Sequence, residues 1–164
     1  MATETVTVYT DGGSRNTGNH KGGHVNSTDR AAWAFLILHE EKRYTGSAGV
    51  LGATNNQMEL TAILEALRKI YRKKLANKKI ILISDSKYAL DSINKGWLAG
   101  WAKNNWRNST KKEVKNRDIW EAIYKALPYF PRITFEWTKG HADNEGNNFV
   151  DSLLNQTMDN MPTH

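Results

Sequence analysis

The chain has 164 residues, a length that leaves no room for a second large core. Of these residues 39% are hydrophobic and 24% are charged, a composition that excludes a disordered chain. It contains no cysteine, which excludes a disulfide scaffold, a thiol nucleophile and a thiolate zinc site. Its net charge of +6 makes a polyanionic partner worth considering. Because no apolar run reaches membrane-span length and the first residues lack a signal-peptide pattern, we expect a soluble, cytoplasmic protein. We also expect a monomer, and the chain length predicts a single domain over residues 1–164.

The first part of the chain predicts strands. Val6–Thr10 is β-branched or aromatic throughout and is followed by Asp11, so we predict a strand that ends on a carboxylate. The Gly-, Asn-, Ser- and His-rich stretch 12–29 predicts a loop. Residues 31–38 predict a second strand, and residues 42–50 predict its antiparallel neighbours more weakly. A short meander is therefore expected at this end of the chain.

Helical periodicity begins after Thr54, where apolar residues recur every three or four positions on one face: Leu60, Ile63, Leu64, Leu67, Ile70 and Tyr71. Thr54 and Gln57 have the spacing of a capping box. This register places Asn55 and Asn56 in the first turn of the helix and Glu59 in the second. Glu59 adjoins the apolar face, so we expect it to face the sheet.

The second half predicts alternating strands and helices. The apolar run 79–85 predicts a buried strand that ends on Asp85, and the order strand, helix, strand predicts parallel pairing. Further helices are predicted at 87–93, at 97–101, at 117–127 before Pro128, and around 150–158, with one more strand at 133–137.

Asp11 and Asp85 each follow a predicted strand. If these strands are neighbours, both carboxylates lie at the edge of the sheet where open α/β folds bind ligands. Two close carboxylates stay ionised only beside a positive group, and Mg²⁺ suits carboxylates, waters and phosphate oxygens. Glu59 could reach the same pocket. Any one of these acids taken alone is more commonly a turn, cap or surface residue.

Four stretches of sequence change this assessment because they occur together: Tyr-Thr-Asp-Gly-Gly-Ser at 9–14, Thr-Asn-Asn-Gln-Met-Glu-Leu at 54–60, Ser-Asp-Ser-Lys-Tyr-Ala at 84–89, and Lys-Gly-His-Ala at 139–142. With Asp151 after the last of them, the chain resembles type 1 ribonuclease H from about residue 5 to residue 157. The resemblance implies an α/β fold, a five-stranded mixed sheet flanked by helices. It also implies an endonuclease that hydrolyses the RNA strand of RNA–DNA hybrids to 5′-phosphate and 3′-hydroxyl products.

The resemblance further implies which residues act. The family's four carboxylates, which bind two Mg²⁺ or Mn²⁺ ions, match Asp11, Glu59, Asp85 and Asp151. The family's histidine, which assists proton transfer and product departure, matches His141. In such a site one ion lowers the pKa of the attacking water and the other stabilises the leaving 3′ oxygen.

Substrate contacts are expected from two regions. An enzyme that accepts any sequence reads shape and 2′-hydroxyls, and Asn55 and Asn56 resemble the family's polar pair in the minor groove. Ser14 and Lys87, the latter standing where many relatives carry Gln, are further candidates. The basic segment at about 92–118 resembles the family's handle, which grips the DNA strand through phosphate and sugar contacts; its candidate contacts are Trp97, Trp101, Lys103, Trp106, Lys111 and Lys112. Trp97 and Trp101 are also spaced for packing at the base of a protrusion.

Two alternative functions stay open on the sequence. One is a catalytically dead module that binds hybrids, and the retention of all four matched carboxylates argues against it. The other is a different nuclease or a transposase of the same superfamily. The His141 motif and the tryptophan-rich handle argue against that alternative.

Overall fold

The computed structural model describes residues 5–15, 27–139 and 144–162. Within them one sheet contains the strands β1 (Val6–Ser14), β2 (Arg30–His39), β3 (Lys42–Leu51), β4 (Ile80–Ser84) and β5 (Ile133–Trp137). The helices are α1 (Asn55–Arg72), α2 (Lys87–Asn94), α3 (Trp97–Lys103), α4 (Arg117–Ala126) and α5 (Glu145–Asp159). None of the described helices is both long and apolar enough to cross a membrane.

The sheet has the strand order β3-β2-β1-β4-β5. Strands β1, β2 and β3 pair antiparallel as a meander, whereas β4 pairs parallel with both β1 and β5. Thr10 of β1 lies opposite Ser84 of β4, so the strands that carry Asp11 and precede Asp85 are neighbours. The mixed five-stranded sheet expected from the sequence is confirmed.

Helices pack on both faces of the sheet because strand side chains alternate between the faces. On one face, Val8 and Leu82 pack with Leu67 of α1 and Trp120 of α4. On the other face, Ala32, Ala34 and Leu36 of β2 pack with Val150 and other apolar residues of α5. Each fully buried leucine or isoleucine contributes about 1.5–3 kcal/mol, so α1, which buries nine residues, is the main anchor of the fold.

The predicted ends of β1 and α4 were wrong. Strand β1 does not end before Asp11 but continues to Ser14, because β2 supplies hydrogen-bonding partners along its whole length. The predicted loop 12–29 therefore begins with strand residues, and its part from 16 to 26 lies outside the described residues. Helix α4 ends at Ala126, and Pro128 lies in a short 3-10 turn that follows it.

Candidate active site

Three acidic side chains meet at the carboxyl edge of the parallel strands. Asp11 lies within β1, Glu59 lies in the second turn of α1, and Asp85 directly follows β4. One carboxylate oxygen from each lies within 4.8 Å of the other two. The strand pairing and the docking of α1 thus bring together acids that are far apart in the sequence.

Gly12 allows this close approach. A Cβ atom at this position would lie 2.2 Å from the carbonyl carbon of Met58 and 2.3 Å from the nitrogen of Glu59. The Gly12 N–H donates to Asp11 Oδ1 at 2.9 Å and to Glu59 Oε1 at 3.1 Å. Gly12 lies in the stretch predicted as a loop, and this role was not predicted from the sequence. A glycine beside a β-branched strand is the signal that could have revealed a close backbone approach.

The predicted capping box is confirmed and sets the start of α1. The Gln57 N–H donates to Thr54 Oγ1 at 3.1 Å, and the Thr54 N–H donates to Gln57 Oε1 at 2.7 Å. Asn55 accepts a hydrogen bond at Oδ1 from the Ser14 N–H at 2.6 Å, which ties the first turn of α1 to the end of β1. This register turns Glu59 towards the sheet, where it is only 8% exposed.

Burial and mutual repulsion raise the pKa values of the three acids. Burial, followed by the charges of Glu59, Asp85 and Asp151, raises the pKa of Asp11 to about 9. Burial and the charge of Asp85 raise the pKa of Glu59 to about 7. Burial also raises the pKa of Asp85. Because these carboxylates resist ionising together, the site favours a multivalent cation.

Asp151 approaches the cluster from α5. It is exposed and does not belong to the three-acid group, but its negative charge raises the pKa values of Asp11 and Asp85. The start of α5 lies close against β1, since a Cβ atom at Gly146 would lie 2.2 Å from the ring of Tyr9. His141 lies outside the described residues.

A second network surrounds Asp85. The Ala89 N–H donates to Ser86 Oγ at 3.2 Å and so caps α2, and the Ser86 side chain also hydrogen-bonds to Glu59. The indole N–H of Trp137, at the end of β5, donates to the carbonyl oxygen of Asp85 at 3.1 Å. Trp137 was not predicted as a site residue, although its strand was predicted correctly.

An open cavity of about 410 Å³ lies over the acids. It is lined by Asp11, Gly12, Asn55, Asn56, Glu59, Asp85, Ser86, Lys87 and Tyr88. Three of the predicted substrate contacts therefore share one cavity with the three acids. Ser14 lies beside it at the end of β1, and within the described residues its buried hydroxyl has no hydrogen-bond partner.

The predicted handle residues lie away from this cavity. The rings of Trp101 and Trp106 pack edge-on against Trp120 and Tyr124 of α4, with centroid distances of 5.7 and 5.9 Å. Trp97 is 45% exposed. Lys103, Lys111 and Lys112 are exposed as well. Trp97 and Trp101 line a separate cavity of about 520 Å³ with Arg107 and Asn108.

The chain matches proteins of one family over nearly its whole length. The RNase H family model matches residues 3–159. Ribonuclease H from Hydrogenovibrio crunogenus is 39% identical over 158 residues, which cover 95% of this chain and 97% of that protein. Ribonuclease H from Clostridium botulinum is 36% identical over 154 residues, with coverages of 94% and 95%.

Solved structures agree with the fold. LC9-RNase H1, a type 1 RNase H with the type 2 active-site motif, has a TM-score of 0.79 at 21% identity and covers 96% of this chain and 74% of that one. LC11-RNase H1, solved in complex with an RNA/DNA hybrid, has a TM-score of 0.66 at 20% identity, with coverages of 94% and 98%. Together with the family match and the identities to the two ribonucleases H, these findings confirm the resemblance: the chain belongs to the RNase H family.

Proposed function

We propose that the chain is a metal-dependent endonuclease that hydrolyses the RNA strand of RNA–DNA hybrids and leaves 5′-phosphate and 3′-hydroxyl ends. The observation that carries this proposal is the convergence of Asp11, Glu59 and Asp85 within 4.8 Å in a chain of the RNase H family. Similar proteins are named ribonuclease H, and one structural neighbour was solved with an RNA/DNA hybrid.

The donor set suits hard divalent cations. Asp11, Glu59 and Asp85 offer carboxylate oxygens, the ligands that Mg²⁺ and Mn²⁺ prefer. Their raised pKa values show that their negative charges are not balanced by nearby positive groups. Asp151 is proposed as the fourth ligand, from the exposed side. We propose two Mg²⁺ ions, with Mn²⁺ as a substitute. When bound, such ions generate hydroxide from water and stabilise the leaving oxygen.

Other groups of the chain orient the carboxylates and are placed to contact the substrate. The Gly12 N–H bridges Asp11 and Glu59, which keeps both carboxylates aimed at one point. Asn55 already accepts at Oδ1 from Ser14, so its amide group is left as a donor for a 2′-hydroxyl or a base edge. Asn56 lies next to it on the cavity wall. His141 is proposed to assist proton transfer and product departure.

The handle is proposed to hold the DNA strand. Trp101 and Trp106 pack against aromatic residues of α4 and therefore anchor this segment to the rest of the fold. The exposed Trp97 is suited to packing against a sugar. Lys103, Lys111 and Lys112 are exposed and suited to phosphates, which bind proteins without reading sequence.

Four labelled substrates test this function. Three contain a labelled RNA strand, in an RNA–DNA hybrid, in duplex RNA or as a single strand, and the fourth is labelled duplex DNA. We expect Mg²⁺-dependent internal cleavage in the hybrid alone, and a chelator should abolish it. Binding of the hybrid without any cleavage would instead identify a catalytically dead module, and cleavage of duplex DNA would identify another nuclease of the superfamily.

We also propose that the enzyme acts in the cytoplasm as a single-domain monomer. The absence of cysteine suits a reducing compartment, and the three converging acids come from one chain. Light scattering at assay concentrations should give the mass of one chain, 18.6 kDa. A dimer mass would contradict the monomer, and fractionation of the source cells tests the compartment.

A further inference from the structure

Trp137 lies at the edge of the candidate active site. It is the last residue of β5 and pairs in register with Ser84 of β4, immediately before Asp85. The pairing continues one step further, because the Thr138 N–H donates to the Ser84 carbonyl at 2.9 Å. The indole N–H of the Trp137 side chain also donates to the Asp85 carbonyl at 3.1 Å. An indole that is 45% exposed is therefore held in place beside a candidate metal ligand.

Lys87 lies on the face of this indole. It is the first residue of α2, two positions after Asp85, and it lines the cavity that contains the three acids. Its Nζ lies 5.5 Å from the centroid of the Trp137 ring, within the range of a cation–π contact. In the described part of the chain, the Lys87 ammonium forms no ion pair with a carboxylate.

This arrangement is unexpected on electrostatic grounds. Three crowded carboxylates whose pKa values are raised by burial and repulsion attract any nearby cation, and a lysine stem is long enough to explore that space. An ammonium paired with Asp85 would neutralise a ligand and compete with a divalent ion. The indole face offers Lys87 a competing position at the rim of the cavity.

We propose that Trp137 is a positioning residue that fixes the Asp85 main chain through its indole N–H and holds the Lys87 ammonium at the rim, away from the acids. The proposal rests on the proposed function, since it concerns the same metal site. At the rim, Lys87 is placed to meet a substrate phosphate, while Asp85 stays available to the metal. The Trp137 side chain thereby keeps one cation from blocking the site of another.

Metal binding by substrate-free protein tests the proposal through a double-mutant cycle. Isothermal titration with Mg²⁺ compares wild type, Trp137→Leu, Lys87→Gln and the double variant. We expect Trp137→Leu to weaken Mg²⁺ binding about two- to fivefold, the strength of an exposed cation–π contact. The Lys87→Gln variant should bind at least as well as wild type. The double variant should recover most of the lost affinity, because no ammonium is left to compete.

A purely structural role for Trp137 predicts a different result. The double variant would then be as weak as Trp137→Leu, and that outcome would overturn the proposal, as would wild-type affinity in Trp137→Leu itself. Trp137→Phe keeps a ring face for Lys87 but removes the indole N–H. Any loss of Mg²⁺ affinity in this variant therefore reports the lost hydrogen bond to the Asp85 main chain and not the release of Lys87. If Trp137→Leu folds poorly by circular dichroism, Trp137→Met fills similar space without a π face and carries the same expectation.

Cleavage kinetics give a second readout. Trp137→Leu should lose activity at limiting Mg²⁺ and regain it at saturating Mg²⁺, whereas Lys87→Gln should raise KM for the hybrid at every Mg²⁺ concentration. A loss in Trp137→Leu that saturating Mg²⁺ does not restore contradicts the competition. These results are distinct from a failure of the proposed function, which would appear as absence of hybrid cleavage by the wild type while the Mg²⁺ isotherms still decide the role of Trp137.

Discussion

The Asp11 carboxylate is needed for the proposed metal binding, but its burial lowers the stability of the folded chain. Its folded pKa, raised to about 9 by burial and neighbouring charges, lies above its ordinary value of 3.8. Between these two pH values the folded chain binds more protons than the unfolded chain, so the free energy of unfolding falls as pH rises. The free energy of unfolding is therefore highest below the ordinary pKa of 3.8 and falls until the pH reaches the folded pKa of about 9.

Asp11→Asn should therefore raise the melting temperature of metal-free protein, and the gain should be larger at pH 8 than at pH 5. The amide has a similar shape and needs no proton to be neutral beside Glu59 and Asp85, so it avoids a cost of proton uptake that grows with pH. Thermal unfolding in chelator at both pH values measures the effect. Glu41→Gln, which removes an exposed carboxylate, is the matched control and should change little. A pH-independent gain in Asp11→Asn would contradict the repulsion.

Gly12 leaves no space for a larger side chain between β1 and α1. Gly12→Ala places a methyl group 2.2–2.4 Å from the backbone of α1, so α1 must move away from β1. Overpacking of this kind costs about 1–3 kcal/mol or more, and denaturant unfolding measures it. Gly100→Ala is the control, because a Cβ there meets nothing within 4 Å and helical alanine is favourable. Equal stability of wild type and Gly12→Ala would contradict the close approach.

His141 is expected to act on protons and not on the metal. His141→Ala should lower turnover by about 10², within the range of general acid–base assistance, and should leave Mg²⁺ affinity nearly unchanged. Turnover assays and calorimetric Mg²⁺ titration measure the two quantities separately. Loss of metal binding in this variant would make His141 a ligand.

Among the elements, α1 was the most predictable and β1 the least. The apolar stripe and the Thr54–Gln57 cap are local signals, and they located α1 and the inward position of Glu59. The extension of β1 through Gly12 depends on pairing with β2, and glycine carries no local preference for a strand. The role of Trp137 could not be predicted either, because its contact with Asp85 joins the ends of two strands that are distant in sequence.

The exposed lysines of the handle should set its affinity for the hybrid. Neutralising three of them together, Lys111, Lys112 and Lys115, should raise KM for the hybrid. It should also reduce the slope of log affinity against log salt by about one unit per lost phosphate contact. Turnover at saturating hybrid should hardly change, since the acids are not touched. Binding measured across a salt series tests this.

The matched control is the basic group at the far end of α1. Neutralising Lys69, Lys73 and Lys74, which are exposed or partly exposed beside the last turn of α1, should leave the slope unchanged. An unchanged slope in the handle variant, or an equal change in both variants, would show that the handle lysines are only a solvated surface.

Across the whole molecule, the topology of the sheet determines where chemistry occurs. The parallel pairing of β1 with β4 and of β4 with β5 brings Asp11, Asp85 and Trp137 to one edge, and the docking of α1 adds Glu59. The motifs in the sequence indicated which acids belong together. Their separation of no more than 4.8 Å and the raised pKa values follow from packing, which the order of residues does not reveal.

We propose that this acidic cluster is a metal-dependent catalytic site for RNA in hybrids. Single-turnover cleavage of a labelled RNA–DNA hybrid at saturating Mg²⁺, by wild type and by Asp11→Asn, tests it most directly. We predict that the variant folds and binds the hybrid but cleaves at least about 10³-fold more slowly, since a metal centre supplies several kcal/mol of transition-state stabilisation. Cleavage by Asp11→Asn at a rate near that of the wild type would contradict the claim.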